Sequence, residues 1–233
     1  MKTLTSGQGN RLLATLLSGI LVGMSILFST SASAQDNLSI ENSVHDFRAQ
    51  LWGNNSNSEI CVVCNTPHNA ISPDDGPLWN RDVSLTSFTL YDDTPPPGSD
   101  LQGTNFTNPS GVSRLCLSCH DGTIAIDAFG GQTSGGGAFM DDINPSANLG
   151  DVVAGTGDLS NDHPVSFTFP AGLDAELYAV TDGKVNGVMP LFGAGQDQVE
   201  CASCHDVHAT NTYDQLLRVD NDGSDLCLTC HIK

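Results

Sequence analysis

Residues 201–210 read Cys-Ala-Ser-Cys-His-Asp-Val-His-Ala-Thr, and residues 226–233 close the chain as Leu-Cys-Leu-Thr-Cys-His-Ile-Lys. Cys201, Cys204 and His205, then Cys227, Cys230 and His231, each set two cysteines three positions apart with a histidine directly behind them. Working back along the chain, Cys116, Cys119 and His120 repeat the pattern, while Cys61 and Cys64 are followed by Asn65. These pairs hold all eight cysteines of the 233 residues. Residues 61–70 (CVVCNTPHNA) align with 201–210 (CASCHDVHAT), and 115–120 (LCLSCH) align with 226–231 (LCLTCH). The chain therefore carries two degenerate copies of one unit, at 61–120 and 201–231, joined by a Gly-rich segment.

A C-x-x-C pair alone fits a disulfide, a redox dithiol or half of a zinc site. The adjoining histidine decides, because C-x-x-C-H is the attachment signature of c-type haem. Two cysteines one turn apart form thioethers to the two vinyl groups on one edge of the porphyrin, and the next residue reaches the iron as proximal ligand. Zinc is the runner-up, but it leaves His120, His205 and His231 unexplained. A disulfide scaffold is weaker still, since two-residue loops constrain little of the unfolded chain.

The outer composition agrees with an exported, cofactor-filled chain. Residues 1–34 have Lys2 and Arg11 in a basic head, an apolar run from Leu12 to Phe28, and a small-residue end at Ala32-Ser33-Ala34, the pattern of a signal peptide cut after Ala34. Cleavage leaves 35–233 as a multihaem domain with 27 acidic residues against six basic ones, a formal charge of -21. That charge argues against nucleic acid and anionic surfaces as partners, and no later segment has the length of a membrane span. Aromatic residues make up only 6 % of the chain while Gly and Pro supply 24 and 11 positions, a thin basis for a side-chain core. The expected fold is that of a multihaem cytochrome c: mostly coil, with a few short helices wrapped around covalently bound haems. Ser110 or Ser113 is expected to cap a helix through His120, with Gly122 just after it, and Ser224 one through His231.

The remaining histidines, His45, His68, His163 and His208, are candidate distal ligands. Four bis-His haems need eight histidines and the chain has seven; the gap lies at Asn65. Met140, Met189, Lys184, the Asn65 amide or water could fill that coordination position, His68 could move in, or Cys61 and Cys64 could carry no haem. Four haems are expected in the first two cases and three in the last. On a helix, His205 and His208 would share a face, so each would serve a different iron and bring two porphyrins close together.

The segments LCLSCHDGTIA at 115–125, HPVSF at 163–167, ECASCHDVH at 200–208 and LCLTCHIK at 226–233 resemble, in this order, the doubled C-x-x-C-H multihaem cytochromes. More narrowly, they resemble secreted tetrahaem cytochromes that polymerise into extracellular filaments. The resemblance implies haems stacked in pairs, a homopolymer, metal or protein redox partners, a location outside the cell or in the periplasm, and electron carriage rather than catalysis. It also implies that a distal histidine near the N-terminus, such as His45, can come from an adjacent subunit. The alternative is a haem reductase with an open first iron at Asn65, a reading that the scarcity of basic residues disfavours.

Overall fold

The computed structural model describes residues 40–41, 43–49, 59–71, 76–91, 107–131, 157–208 and 213–233. The signal peptide expected at 1–34, Met140 and most of the Gly-rich segment lie outside the described residues. The described residues belong to one unit spanning Asn37–Lys233.

Regular structure is sparse, as the composition suggests. Helix α1 spans Gly111–His120, α2 spans Cys201–Cys204 and α3 spans Asp225–Leu228. Among the described residues there are also three single-turn 3-10 segments, Phe47–Ala49, Asp214–Leu216 and Asp222–Ser224, and five two-residue strands: β1 Phe167–Thr168, β2 Val180–Thr181, β3 Lys184–Val185, β4 Met189–Pro190 and β5 Gln198–Val199. Strand β1 pairs antiparallel with β5, and β2-β3-β4 form an antiparallel meander. The meander has a simple local cause. Asp182-Gly183 and Asn186-Gly187 all take positive φ, the requirement of the tight turns that match strand twist.

Apolar residues gather in two places, each beside attachment cysteines. Phe167, Phe169, Val185, Met189, Leu191 and Val199 are buried together, with Leu226 and Cys230 packed against them. Leu117, inside the second C-x-x-C, is buried with Leu159 against Phe88 and Leu90.

The expected caps need correction. Ser110 is the N-cap of α1 but makes no side-chain capping bond. The Ser113 N–H instead donates to Glu200 Oε2 at 3.2 Å, from 87 positions along the chain. Ser224 stands at the N-cap of α3 in the left-handed region and also makes no side-chain capping bond. Helix α3 stops at Leu228, short of His231. The first motif, Cys61–Asn65, is a turn rather than a helix.

Candidate functional site

All four C-x-x-C pairs close the same kind of turn. The residue after the second cysteine returns its N–H to the carbonyl of the first: Asn65 to Cys61 at 2.8 Å, His205 to Cys201 at 3.0 Å and His231 to Cys227 at 2.9 Å. At the second motif the helical run of α1 through His120 sets the same spacing. Cysteines three positions apart on one turn face the same side, which is what two thioethers to one porphyrin edge require.

Three of these turns are held by a common clamp. At the third, the Asp206 N–H donates to Leu216 O at 2.8 Å and the Arg218 N–H to Cys204 O at 2.9 Å, around an antiparallel bridge of His205 with Leu217. At the fourth, Ile232 donates to Glu176 O at 2.7 Å and Tyr178 to Cys230 O at 2.9 Å, around His231 and Leu177. At the first, Thr66 donates to Leu78 O at 2.8 Å and Asn80 to Cys64 O at 2.9 Å, around Asn65 and Trp79. Asn65 thus occupies the backbone position of a proximal histidine in every respect except its side chain. The likeness extends further: Asn80 Nδ2 donates to Val62 O at 2.7 Å, and Arg218 Nε to the equivalent Ala202 O at 2.9 Å.

This clamp also corrects the expected relation of His205 to His208. Helix α2 ends at Cys204 because His205 turns extended, at φ −109° and ψ 144°, to meet Leu217. His208 then sits in a turn whose N–H donates to Asp206 Oδ1 at 3.1 Å, a local bond that competes with helix. His68 is held in the same way by Thr66 Oγ1, at 3.4 Å. The two histidines are equivalent, and the argument from a shared helical face does not apply to His205 and His208.

The second motif is anchored by its neighbours instead of a clamp. Asp121, directly after His120, is 1 % exposed; its carboxylate accepts from Ser84 Oγ and, at 2.8 Å, from both the N–H and the hydroxyl of Thr123. Arg81 is fully buried, donating to Ile126 O at 2.6 Å and Ala125 O at 2.8 Å. Neither residue carries a sequence signature, and both were missed by motif reading.

The thiols follow one another in chain order. Burial pushes Cys64 up to about 12, with nearby Cys119 adding to the rise and Arg81 opposing it. Pairing with Cys201 raises the Cys116 thiol, and the same pairing lowers Cys201. Burial raises Cys204, with Cys201 and then Cys227 contributing, and it raises Cys230 to about 11 with help from Cys204. Contacts run in the same order: Gly130 N–H to Asn80 O at 3.0 Å and Arg81 to Ile126 O tie the clamp of the first turn to the segment after the second, Ser113 on α1 accepts from the Cys201 N–H at 2.9 Å, and Leu226 and Cys230 pack on the cluster holding Val199, just before α2.

His45 lies beside His120, with ring centres 6.1 Å apart and planes tilted by 55°. Burial, then the neighbouring His120 and His205, push His45 down to about 4. Its segment is tied by the Arg48 guanidinium to Asp46 at 2.6 Å and Glu41 at 3.0 Å. His205 Nδ1 lies 2.9 Å from Gln215 O, and His163 Nδ1 2.9 Å from Pro164 O. Such a bond fixes the tautomer and leaves Nε2 for a metal. Of the alternative ligands, Met189 is buried in the apolar cluster and Lys184 is exposed on β3.

The residues present fit covalent haem. All eight thiols are free of disulfides, and His45 Nδ1 is buried without a hydrogen-bond partner among the described residues. His45 and His120, with ring centres 6.1 Å apart, are the pair that would hold one haem iron. Among the described residues, no group of three or more His, Cys, Asp or Glu could hold a bare metal ion, and no helix is long and apolar enough to cross a membrane.

No curated protein matches the chain. Residues 194–233 match the family model described as doubled CXXCH motif. That match takes in the third and fourth turns, and together with the motifs it supports a multihaem c-type cytochrome: a chain that binds haem c covalently and transfers electrons.

Proposed function

We propose that this chain is an exported electron carrier with one haem c on each of its four turns, relaying electrons in chain order. The observation that carries this reading is the succession of turns in space: the clamp of the first is bonded beyond the second through Gly130 N–H to Asn80 O at 3.0 Å, Ser113 on α1 accepts from the Cys201 N–H at 2.9 Å, and Leu226 and Cys230 pack on the cluster holding Val199, just before α2. Bound haem supplies an iron that cycles between the ferric and ferrous states by one electron.

The cysteine pairs fix each porphyrin edge, and His120, His205 and His231 serve as proximal ligands. His45 faces His120 within its own chain and completes that iron's coordination, while His68, His163 and His208 are the further distal ligands. Ligand sets without methionine place the potentials low. The mature charge of -21 favours cationic metal acceptors or basic redox proteins. Potentiometric titration of the purified holoprotein, followed in the visible spectrum, is expected to show overlapping one-electron steps at negative potential. Reduction at high positive potential, or a protein without a c-haem spectrum, contradicts the reading. Assembly into a homopolymer is the further step the resemblance implies; it predicts a holoprotein whose sedimentation grows with concentration and is contradicted by a monomer at all concentrations.

The backbone equivalence of Asn65 with His205 favours one second reading, an open first iron that reduces a small molecule. Low-temperature EPR without a high-spin signal removes it.

A further inference from the structure

A carboxylate that plays no part in ligation lies between the second and third attachment turns. Glu200 is 2 % exposed, and its Oε2 accepts from Ser113 Oγ, from the Ser113 N–H at 3.2 Å and from Ser166 Oγ at 2.9 Å. The Ser113 hydroxyl in turn accepts from the Cys201 N–H at 2.9 Å. One side chain thereby caps α1, which carries Cys116, Cys119 and His120, and is bonded through Ser113 to the first residue of α2, which carries Cys201 and Cys204. Glu200 is also the N-cap of α2, its own N–H donating to Ser203 Oγ at 3.0 Å.

Gly111 makes the approach possible. Its φ is +53°, and a Cβ there would lie 3.3 Å from Glu200 Oε1. Burying a carboxylate costs desolvation that apolar packing would avoid. What the carboxylate adds is direction: three donors converging on one oxygen hold two helix ends in a single register, whereas apolar contacts tolerate sliding. Cys116 and Cys201 sit on the elements so joined.

We propose that Glu200 is a positioning residue that fixes the second and third attachment turns relative to each other and so sets the electronic coupling between the haems they carry. The proposal rests on the reading that both turns carry haem. Electron tunnelling falls steeply with separation, so a small loosening of this joint slows transfer there without removing either haem.

The test compares wild-type holoprotein with E200A, E200Q and S113A by peptide-resolved mass, Soret circular dichroism and relaxation after flash photoreduction. E200A and S113A are expected to keep every haem, to lose intensity in the two-signed Soret signal of neighbouring haems, and to relax more slowly. E200Q retains an acceptor oxygen and is expected to restore both readouts. Should E200A fail to accumulate, S113A against E200Q decides. An unchanged Soret signal and rate in E200A or S113A, even with a lowered Tm, overturns the proposal, as does E200Q behaving like E200A. Wild-type protein lacking haem on either turn would remove the underlying reading and the proposal with it, a result the mass distinguishes from failure of the joint alone.

Discussion

At Cys61–Asn65 and at Cys201–His205 the chain makes the same turn, closes it with the same backbone bond and clamps it between the same two hydrogen bonds, yet one turn ends in an amide and the other in an imidazole. The partner segments, Leu78-Trp79-Asn80 and Leu216-Leu217-Arg218, even lend a side chain to the same carbonyl of the motif. The turn is therefore specified by backbone pairing with its partner segment and not by the iron ligand. The first turn thus matches the third in architecture without its histidine, whereas the second turn lies on α1 and lacks the clamp that holds the fourth. The copies also differ in spacing, their first cysteines standing 55 positions apart in one and 26 in the other.

The comparison breaks most visibly if cysteines are removed. Replacing Cys201 and Cys204 together by Ser is expected to cost one haem and to interrupt the succession between the second and fourth turns, abolishing fast equilibration among the remaining haems. The same change at Cys61 and Cys64 removes one haem from the end of the series and leaves the rest in rapid exchange. Intact mass and flash-photoreduction kinetics read both outcomes, and equal kinetic damage from the two pairs would contradict the relay order.

Restoring the missing ligand sharpens the comparison. N65H is expected to give the first iron a bis-imidazole low-spin EPR signal with no change in haem number, at the expense of any high-spin intensity there. The reverse change, H205N, should create that intensity at the third turn.

A smaller effect comes from the clamp. Asn80 is 3 % exposed, so N80A strands the Val62 carbonyl and is expected to cost about 1–3 kcal/mol. R218A breaks the bond to Ala202 O and the pair with Asp206 at 2.8 Å, with a cost of about 1–2 kcal/mol. Chemical denaturation of the holoprotein measures both, and a negligible cost at either site would separate the two turns.

The smallest effect is one of pH. Burial holds the Glu200 carboxyl above its ordinary value of 4.5, against the opposing hydrogen bonds of Ser113 and Ser166. Its protonated form is favoured by folding, so that this contribution is full below pH 4.5 and is lost as the pH rises through the folded-state value. E200Q should flatten that part of the dependence of the unfolding midpoint on pH, and a profile identical to the wild type would contradict it.

The attachment chemistry was legible in the sequence because it is local: Cys116, Cys119 and His120 declare themselves within five positions. The repeat was legible for the same reason, and low aromatic content pointed to sparse regular structure. What stayed hidden depends on distant segments. The cap of α1 comes from Glu200 rather than Ser110, and Arg81 reaches across to Ile126; neither contact has a spacing to read. The extended His205 follows from pairing with Leu217, which displaces the helix that local spacing suggested. The meander turns at Asp182-Gly183 and Asn186-Gly187, dipeptides whose positive φ suits tight hairpin turns.

The central claim is that all four turns carry haem, Asn65 notwithstanding. Intact mass of the purified holoprotein tests it most directly. Four covalently bound haems are predicted, with the first on the peptide containing Cys61 and Cys64; three haems, with those two thiols free, would contradict the account.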